Sequence, residues 1–293
     1  MSNLLDLAQR QQYPAATLYV IATPIGNAAD VTLRALHVLG LVDRIAAEDT
    51  RNTGQLLALY GISKPLLAVH EHNEREAGAR IVDCLRAGER VAYVSDAGTP
   101  GVSDPGAKLV DAVRDAGFAV VPLPGASAVT TAISAAGDFV GEFSFLGFLP
   151  TKAKQRAAQL QTLAAHPFAM VFYEAPHRIV ETVQALADSL GGHRQLLIAR
   201  ELTKLHEAIH RCTLAEGPTW LAADPNRQRG EFVLVVQGAP AQAEHDEAAH
   251  DALLSMLLEE VSVSSAARLA ASITGASRNT LYTRALELSK RES

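Results

Sequence analysis

The chain has 293 residues, 48% of them apolar and 20% charged, with 32 acidic side chains against 26 Lys and Arg, a net charge of −6 and a pI near 5.9. That is a globular composition and enough chain for two ordinary domains with their own cores, which excludes a disordered polypeptide. It also lacks both the apolar run of about 18 residues that a membrane span needs and the overall positive charge that grips bare nucleic acid.

The first segment, "MSNLLDLAQRQQYPAA", breaks its short apolar patch with Asp6 and Arg10, so residues 1–16 read as a tail, loose or docking, and not as a secretory signal. From residue 17 short β-branched runs alternate with helical spacing. Strands are expected at 17–23, 44–49, 65–70, 90–96 and 118–124, with helices at 31–39, 53–61, 74–88 and 106–117 between them. Such alternation means an α/β domain on a mostly parallel sheet, whose ligands bind at the carboxyl ends of the strands.

"PLPGASAVTTAISAAG" (122–137) reads as a hinge entering a helix, and the domain boundary is placed after residue 123. Residues 124–238 are more strand-rich. Strands are expected at 142–150, 167–176, 195–203, 207–214 and 230–238, and helices at 152–165, 176–190 and 213–222, a pattern for a mixed sheet in a second α/β domain. The polar, Ala-rich 239–251 has linker composition, and 252–293 forms a small helical appendage. In the latter, Ala267, Leu269, Ala270 and Ile273 precede a turn at Gly275, followed by Leu281, Tyr282 and Leu286, which is helix–turn–helix spacing. Arg268, Arg278, Arg284, Lys290 and Arg291 outnumber Glu287 and Glu292 there, so the appendage is either a nucleic-acid contact or an ordinary helical hairpin.

No GxGxxG follows the first strand and no GxxxxGK[ST] occurs, which argues against a dinucleotide dehydrogenase or a P-loop hydrolase. Cys84 and Cys212 are far apart with no CxxC, and "HEH" (70–72) has no second ligand pair at metal spacing. A disulfide framework and a metal site are therefore not expected, and a reducing cytoplasm is the simplest compartment.

The chemistry concentrates in loops. "TPIGN" (23–27) turns tightly at the end of the first strand, and "AEDTRNT" (47–53) ends the second with Asp49 or Thr50 as helix cap. "SDAGTPGVSDPG" (95–106) leaves the fourth strand with almost no bulk: Ser95 and Asp96 offer oxygens, and Ala97 to Gly101 offer bare backbone. Asp104–Pro105 reads as the start of the next helix, with Pro at its first position. "PGASA" (124–128) is a second small-residue loop, and two such loops facing each other make a cleft for a flat, polar small molecule.

Together with "FYEAPHR" (172–178) and "RELTKLHE" (200–207), these motifs, in this order, resemble the ribosomal small-subunit methyltransferase I family of the tetrapyrrole-methylase class. The resemblance covers about residues 17–238 plus the appendage. It implies S-adenosylmethionine (SAM) folded into the cleft between two α/β domains, a homodimer, and 2′-O-methylation of a decoding-centre cytidine of 16S rRNA in the assembled small subunit. By that resemblance the cofactor contacts are Asp96, Ala97, Gly98, Thr99, Pro100, Val102, Ser127, Ala128, Tyr173 and Ala175. Tetrapyrrole and diphthine-type methyltransferases share the fold class, but the basic appendage and the "FYEAPHR" and "RELTKLHE" motifs speak against them.

Methyl transfer from a sulfonium cancels charge in the transition state, so alignment and exclusion of water are the protein's main tasks. A ribose hydroxyl is a weak acid and needs a proton acceptor, for which Asp49, Glu174 and Glu201 are candidates. Arg51, Arg178 and Lys204 are placed to hold neighbouring phosphates, with Lys152, Lys154 and Arg156 of "TKAKQR" as a modest basic cluster and Arg268, Arg278 and Arg284 in the appendage. Tyr173 is read as a stacking partner for a base or an adenine, or as core.

Overall fold

The computed structural model describes residues 6–70, 73–240 and 243–291. Glu71 and His72 of "HEH" and Glu292 of the appendage lie outside the described residues, as do the side chains of Lys290 and Arg291. The chain divides into two compact units, residues 1–238 and 239–293.

In chain order the first unit runs α1 (Asp6–Gln9), β1 (Thr17–Ile21), α2 (Leu33–Leu41), β2 (Arg44–Ala47), α3 (Thr50–Leu59), β3 (Leu66–Ala68), α4 (Glu74–Arg86), β4 (Arg90–Val94), α5 (Ala107–Asp115) and β5 (Ala119–Leu123). It continues with α6 (Ala128–Ser134), β6 (Phe143–Phe148), α7 (Ala153–Leu163), β7 (Ala169–Glu174), α8 (Ile179–Leu190), β8 (Gln195–Arg200), β9 (Ala208–Thr213), α9 (Gly217–Ala222) and β10 (Phe232–Val236). The second unit holds α10 (Ala243–Glu260), α11 (Val263–Thr274) and α12 (Arg278–Arg291).

The first sheet has strand order β3-β2-β4-β1-β5, and every pairing in it is parallel. Alternation along β1 sorts its side chains to opposite faces: Tyr19 and Ile21 pack with α2 and α3, while Leu18 packs with Ile81 of α4 and Leu109 and Val113 of α5. The helices carry the matching spacing. Ala35, Val38 and Leu39 are the buried face of α2, whose first turn is capped by Thr32 accepting from the Ala35 N–H at 3.0 Å. Pro122 sits in β5, an edge strand, where a missing N–H is tolerated.

The connections decide where a ligand fits. β1 lies on the β5 side of β4, so the connection from β1 to β2 passes β4 on one face of the sheet while that from β4 to β5 passes β1 on the other, and the loops after these adjacent strands leave to opposite faces. That is the switch point at which open parallel sheets form a crevice.

The second sheet has order β6-β7-β10-β8-β9, parallel only between β6 and β7 and antiparallel elsewhere. Its central β10 is buried at every residue. Met170, Phe172, Leu196, Ile198, Phe232 and Leu234 pack on one face under α7, α8 and α9. On the other face Val171, Leu197, Ala199, Val233 and Val235 meet Val129 and Ala132 of α6, together with Ile25 and Val102 from loops of the first sheet.

Two sequence expectations change. The stretch read as a linker, 239–251, is helical from Ala243 onward and forms the first half of α10. Ala and Glu are strong helix formers, and Leu254 further along is fully buried in the unit's core. The appendage core includes Ala266, Ala267, Ala270, Leu281 and Ala285, whereas Ile273 and Tyr282, counted in the apolar helix–turn–helix spacing, are 66% and 41% exposed. Gly275 ends α11 at φ +74, as a left-handed cap should. The described part of the N-terminal tail is tied down: the Tyr13 hydroxyl donates to the Ala8 carbonyl at 2.8 Å and the Arg90 Nε to the Tyr13 carbonyl at 2.9 Å.

Candidate active site

Three loops at the carboxyl ends of the first sheet lock together. The Thr23 N–H donates to the Gly98 carbonyl at 2.9 Å and the Gly98 N–H returns a bond to the Thr23 carbonyl at 3.0 Å, so the loops after β1 and β4 are zipped at the switch point. The buried Thr23 hydroxyl adds a bond to the Ser95 carbonyl at 3.1 Å. Gly98 holds φ +79, and a Cβ there would press on the Ile25 side chain at 3.3 Å. The Thr99 hydroxyl then donates to the Ala126 carbonyl at 3.0 Å, joining the loop after β5. Gly125 in that loop lies against Ala22, where a Cβ would come within 2.6 Å.

Facing these loops is the α6 side of the second sheet. Between them lies a cavity of about 350 Å³ whose walls include Ile25, Ala97, Gly98, Thr99, Val102, Ser103, Asp104, Ser127 and Ala128 from the first set, and Tyr173, Glu174, Ala175, Pro176, Ala199, Leu202, Lys204, Glu231, Phe232 and Val233 from the second. Phe148 at the end of β6 completes one wall. The volume falls within the range of about 300–1,000 Å³ typical of cofactor and small-molecule sites, and the lining is mostly apolar with a few polar groups, as such sites require.

Of the ten residues expected to hold a cofactor, Ala97, Gly98, Thr99, Val102, Ser127, Ala128, Tyr173 and Ala175 line this cavity. Ser127 is the N-cap residue of α6 yet makes no side-chain capping bond, so capping does not occupy its hydroxyl. Tyr173 rests edge-on to Phe145 and Phe148, with ring centroids 4.9 and 5.7 Å away, and burial pushes its hydroxyl up to about 12. Asp96 and Pro100 are not in the wall. The Asp96 carboxylate accepts the Asp49 N–H and the Asn52 side-chain amide, each at 3.0 Å, and so fastens α3 to the loop after β4.

The three expected proton acceptors are otherwise engaged. Asp49 caps α3 through the Arg51 N–H and pairs with the Arg51 guanidinium at 2.8 Å, which holds its carboxyl down at about 2. Glu174 reaches the cavity wall but is 2% exposed, and its carboxylate accepts from the Thr182 hydroxyl at 2.6 Å and the Ala175 N–H at 2.8 Å, beside the Arg178 guanidinium. Glu201 accepts from Lys204 at 2.8 Å and from the Glu231 N–H at 2.9 Å; burial opposes its ionisation, but these partners leave it below the usual carboxylate range.

The expected phosphate contacts divide in the same way. Arg156 is 2% exposed; it donates to the Pro150 carbonyl and pairs with Glu181, so it is a packing residue and not a surface cation. Arg178 points inward to the Leu149 carbonyl at 2.7 Å and fixes the chain after β6. Lys204 is shared between Glu201 and Glu231. Arg284 forms a paired contact with Asp251 at 2.6 and 2.7 Å inside the second unit. Arg51, Lys152, Lys154, Arg268 and Arg278 are exposed.

Sequence reasoning misses Asp104 because its context, Asp before Pro, reads as a helix start. The helix begins later, at Ala107: Gly106 has φ +123, and the Tyr93 ring lies where a Cβ would sit, so no helical residue fits there. Phe148, Leu202 and Glu231 escape it because they read as ordinary strand ends, and Val233 because it reads as strand interior. Among the described residues, no group of three or more His, Cys, Asp or Glu is placed to hold a metal ion, and no helix is long and apolar enough to cross a membrane.

Residues 17–217 match the tetrapyrrole (corrin/porphyrin) methylase family, and residues 244–289 match the RsmI C-terminal HTH domain. The chain is 48% identical over 275 residues to the ribosomal RNA small subunit methyltransferase I of Pseudomonas aeruginosa, covering 93% of this chain and 98% of that protein. It is 49% identical to the protein of the same name from Vibrio cholerae, covering 93% and 95%, and 47% identical to that of Escherichia coli O157:H7, covering 92% and 94%. Among solved structures, a cobalt precorrin-4 methyltransferase superposes with TM-score 0.57 at 17% identity, covering 75% of this chain and 94% of its own. The Thermus thermophilus uroporphyrin-III C-methyl transferase complexed with S-adenyl homocysteine superposes with TM-score 0.53 at 17% identity, covering 75% and 97%. These two likenesses concern the fold.

Proposed function

The chain belongs to the ribosomal RNA small subunit methyltransferase I family, within the tetrapyrrole methylases, and from that premise we propose that it transfers a methyl group from SAM to the ribose 2′-hydroxyl of a decoding-centre cytidine of 16S rRNA. The observation that carries this reading is the cavity. Its floor is backbone and small side chains from three interlocked loops, which leave room for a polar donor of cofactor size.

SAM supplies, when bound, a methyl group on a positively charged sulfur whose charge vanishes as the methyl leaves. The chain's own residues do the positioning. The bare backbone of Ala97 to Thr99 and the Ser127 hydroxyl offer polar contacts, while Val102, Ala128, Ala199 and Phe232 exclude water. Glu231 is paired with Lys204 at the wall.

The substrate on this reading is the assembled small subunit. A net charge of −6 gives little long-range attraction to free RNA, so recognition depends on shape and on local cations such as Lys152 and Lys154. The protein acts in the cytoplasm as a homodimer, for which Leu205, 92% exposed in the β8–β9 hairpin, is one available apolar contact. The test is transfer of labelled methyl from SAM to intact subunits and to extracted 16S rRNA, with the product nucleoside identified by mass spectrometry. Label in 2′-O-methylcytidine, formed much faster on subunits, is expected; label on the base, or equal transfer to naked RNA, contradicts the reading.

A further inference from the structure

Three carboxylates line the cavity, and their surroundings differ. Glu174 is held by Thr182, Ala175 and Arg178, and Glu231 by Lys204. Asp104 has no such commitment: the influences acting on it are burial, the negative charges of Glu48 and Asp96, and the nearby Ser95 hydroxyl, and none is a cation. The phenols of Tyr93 and Tyr173 are its remaining titratable neighbours, and both stay protonated because burial raises them. Lys204, in the same wall, is taken up by Glu201 and Glu231.

Its position is fixed from both sides. Ser103, just before it, holds φ +62, a strained conformation that a serine keeps only when its surroundings enforce it. The Ser103 hydroxyl abuts Gly147, where a Cβ would stand 3.1 Å from it. Just after it, the Pro105 carbonyl accepts from the Tyr93 hydroxyl at 2.7 Å, and the Gly106 N–H donates to the buried Glu74 carboxylate at 2.7 Å. A turn anchored this firmly holds Val102, Ser103 and Asp104 in the cavity wall, and the one carboxylate among them has no cation beside it.

We propose that Asp104 is the catalytic proton acceptor for the nucleophilic hydroxyl, which rests on the methyl-transfer reading above. The substrate O–H bond breaks and its proton passes to the Asp104 carboxylate. The electron pair left on oxygen forms the bond to the methyl carbon, and the carbon–sulfur bond breaks with its pair remaining on sulfur. A carboxyl near 6, where burial and the Glu48 charge hold Asp104, is ionised at neutral pH yet more basic than an exposed aspartate.

The test uses full-length protein and the assembled subunit. Asp104→Asn is expected to lower the single-turnover methylation rate by about 10²–10⁴-fold while calorimetry shows retained SAM affinity. In wild type the rate rises with pH through the Asp104 ionisation; Glu48→Gln removes a neighbouring negative charge and moves that rise to lower pH, which a purely structural residue would not do. A readout independent of turnover is the carboxyl titration of Asp104 by ¹³C NMR in the ligand-free protein, assigned by its loss in D104N. An unchanged rate in D104N, a loss of SAM affinity that accounts for the rate loss, or a carboxyl titrating at the ordinary aspartate value would each overturn the proposal. If D104N does not fold, the E48Q profile decides: a downward shift supports the assignment and an unmoved profile overturns it. Wild-type protein that methylates no RNA at all defeats the parent reading, whereas full transfer by D104N defeats this one alone.

Discussion

Asp96 accepts the backbone N–H of Asp49 at 3.0 Å, so the first acidic residue of the loop after β4 joins the carboxyl ends of β4 and β2. The carboxylate shapes the site from behind and touches no part of the cavity. Asp96→Ala should therefore cost stability, about 0.5–1.5 kcal/mol for exposed bonds of this kind, and weaken SAM binding only through the loosened loop. Ser127→Ala, which changes the wall directly, should weaken binding with no loss of stability. Denaturant unfolding and calorimetry on the two variants separate these effects.

Gly98 combines φ +79 with a neighbour at 3.3 Å, so any side chain meets both backbone strain and the Ile25 methyl. Gly98→Val should destabilise the fold by about 1–2 kcal/mol or more and abolish detectable donor binding. A variant that binds SAM normally by calorimetry would show that the zipped loops are not the donor site.

Glu174 is the best-buried carboxylate at the wall, and removing it leaves the Arg178 guanidinium uncompensated. Glu174→Ala should cost about 3–5 kcal/mol in urea unfolding, and its activity should fall in step with the folded fraction. Activity lost in a variant of wild-type stability would instead restore Glu174 as a participant in the chemistry.

Asp104 also makes a prediction about folding. Its carboxyl is raised from an ordinary 3.8 to about 6, chiefly by burial and then by Glu48. The native state thus binds this proton more tightly than the unfolded chain, and the contribution to stability falls as pH rises from about 4 to about 6, then levels off. Asp104→Asn removes the penalty, so at pH 7 the variant should melt above the wild type, and the difference should vanish near pH 4. Calorimetric melting across that range checks it. A residue that costs stability while its neighbourhood is well packed is what a functional position looks like.

Lys152 and Lys154 are exposed at the start of α7, and Arg268 and Arg278 are exposed in the second unit. Replacing either pair by Ala should weaken binding to subunits and leave SAM affinity unchanged. The slope of log affinity against log salt should become shallower by about 0.7 for each phosphate that is no longer held. Arg156→Ala should behave differently, as a stability variant, because its guanidinium is buried against Pro150 and Glu181. Filter binding at several salt concentrations and a melting curve distinguish the two classes.

Elements and loops follow from local pattern. Period-two and period-3.6 apolar spacing is a property of neighbouring residues, so the ten strands among the described residues, nearly all their helices and the small-residue bends at 95–101 and 124–128 are legible without coordinates. The linker reading of 239–251 fails because it weighs polarity above the helix propensity of Ala and Glu. Which polar groups are available is a different matter, settled by packing. Asp49, Glu174, Glu201, Arg156 and Arg178 have the right chemistry on paper, but each is claimed by a partner. For Asp49, Glu174 and Glu201 that partner is close in sequence, and Glu201 also binds Glu231. For Arg156 and Arg178 it lies 25 and 29 residues away. Asp104, which looks like the start of a helix, is left facing the cavity because Tyr93 and Glu74 hold the turn after it in place. Local pattern fixes where the chain bends; the pairing of polar groups, with partners both near and far in sequence, fixes which side chain is left to react.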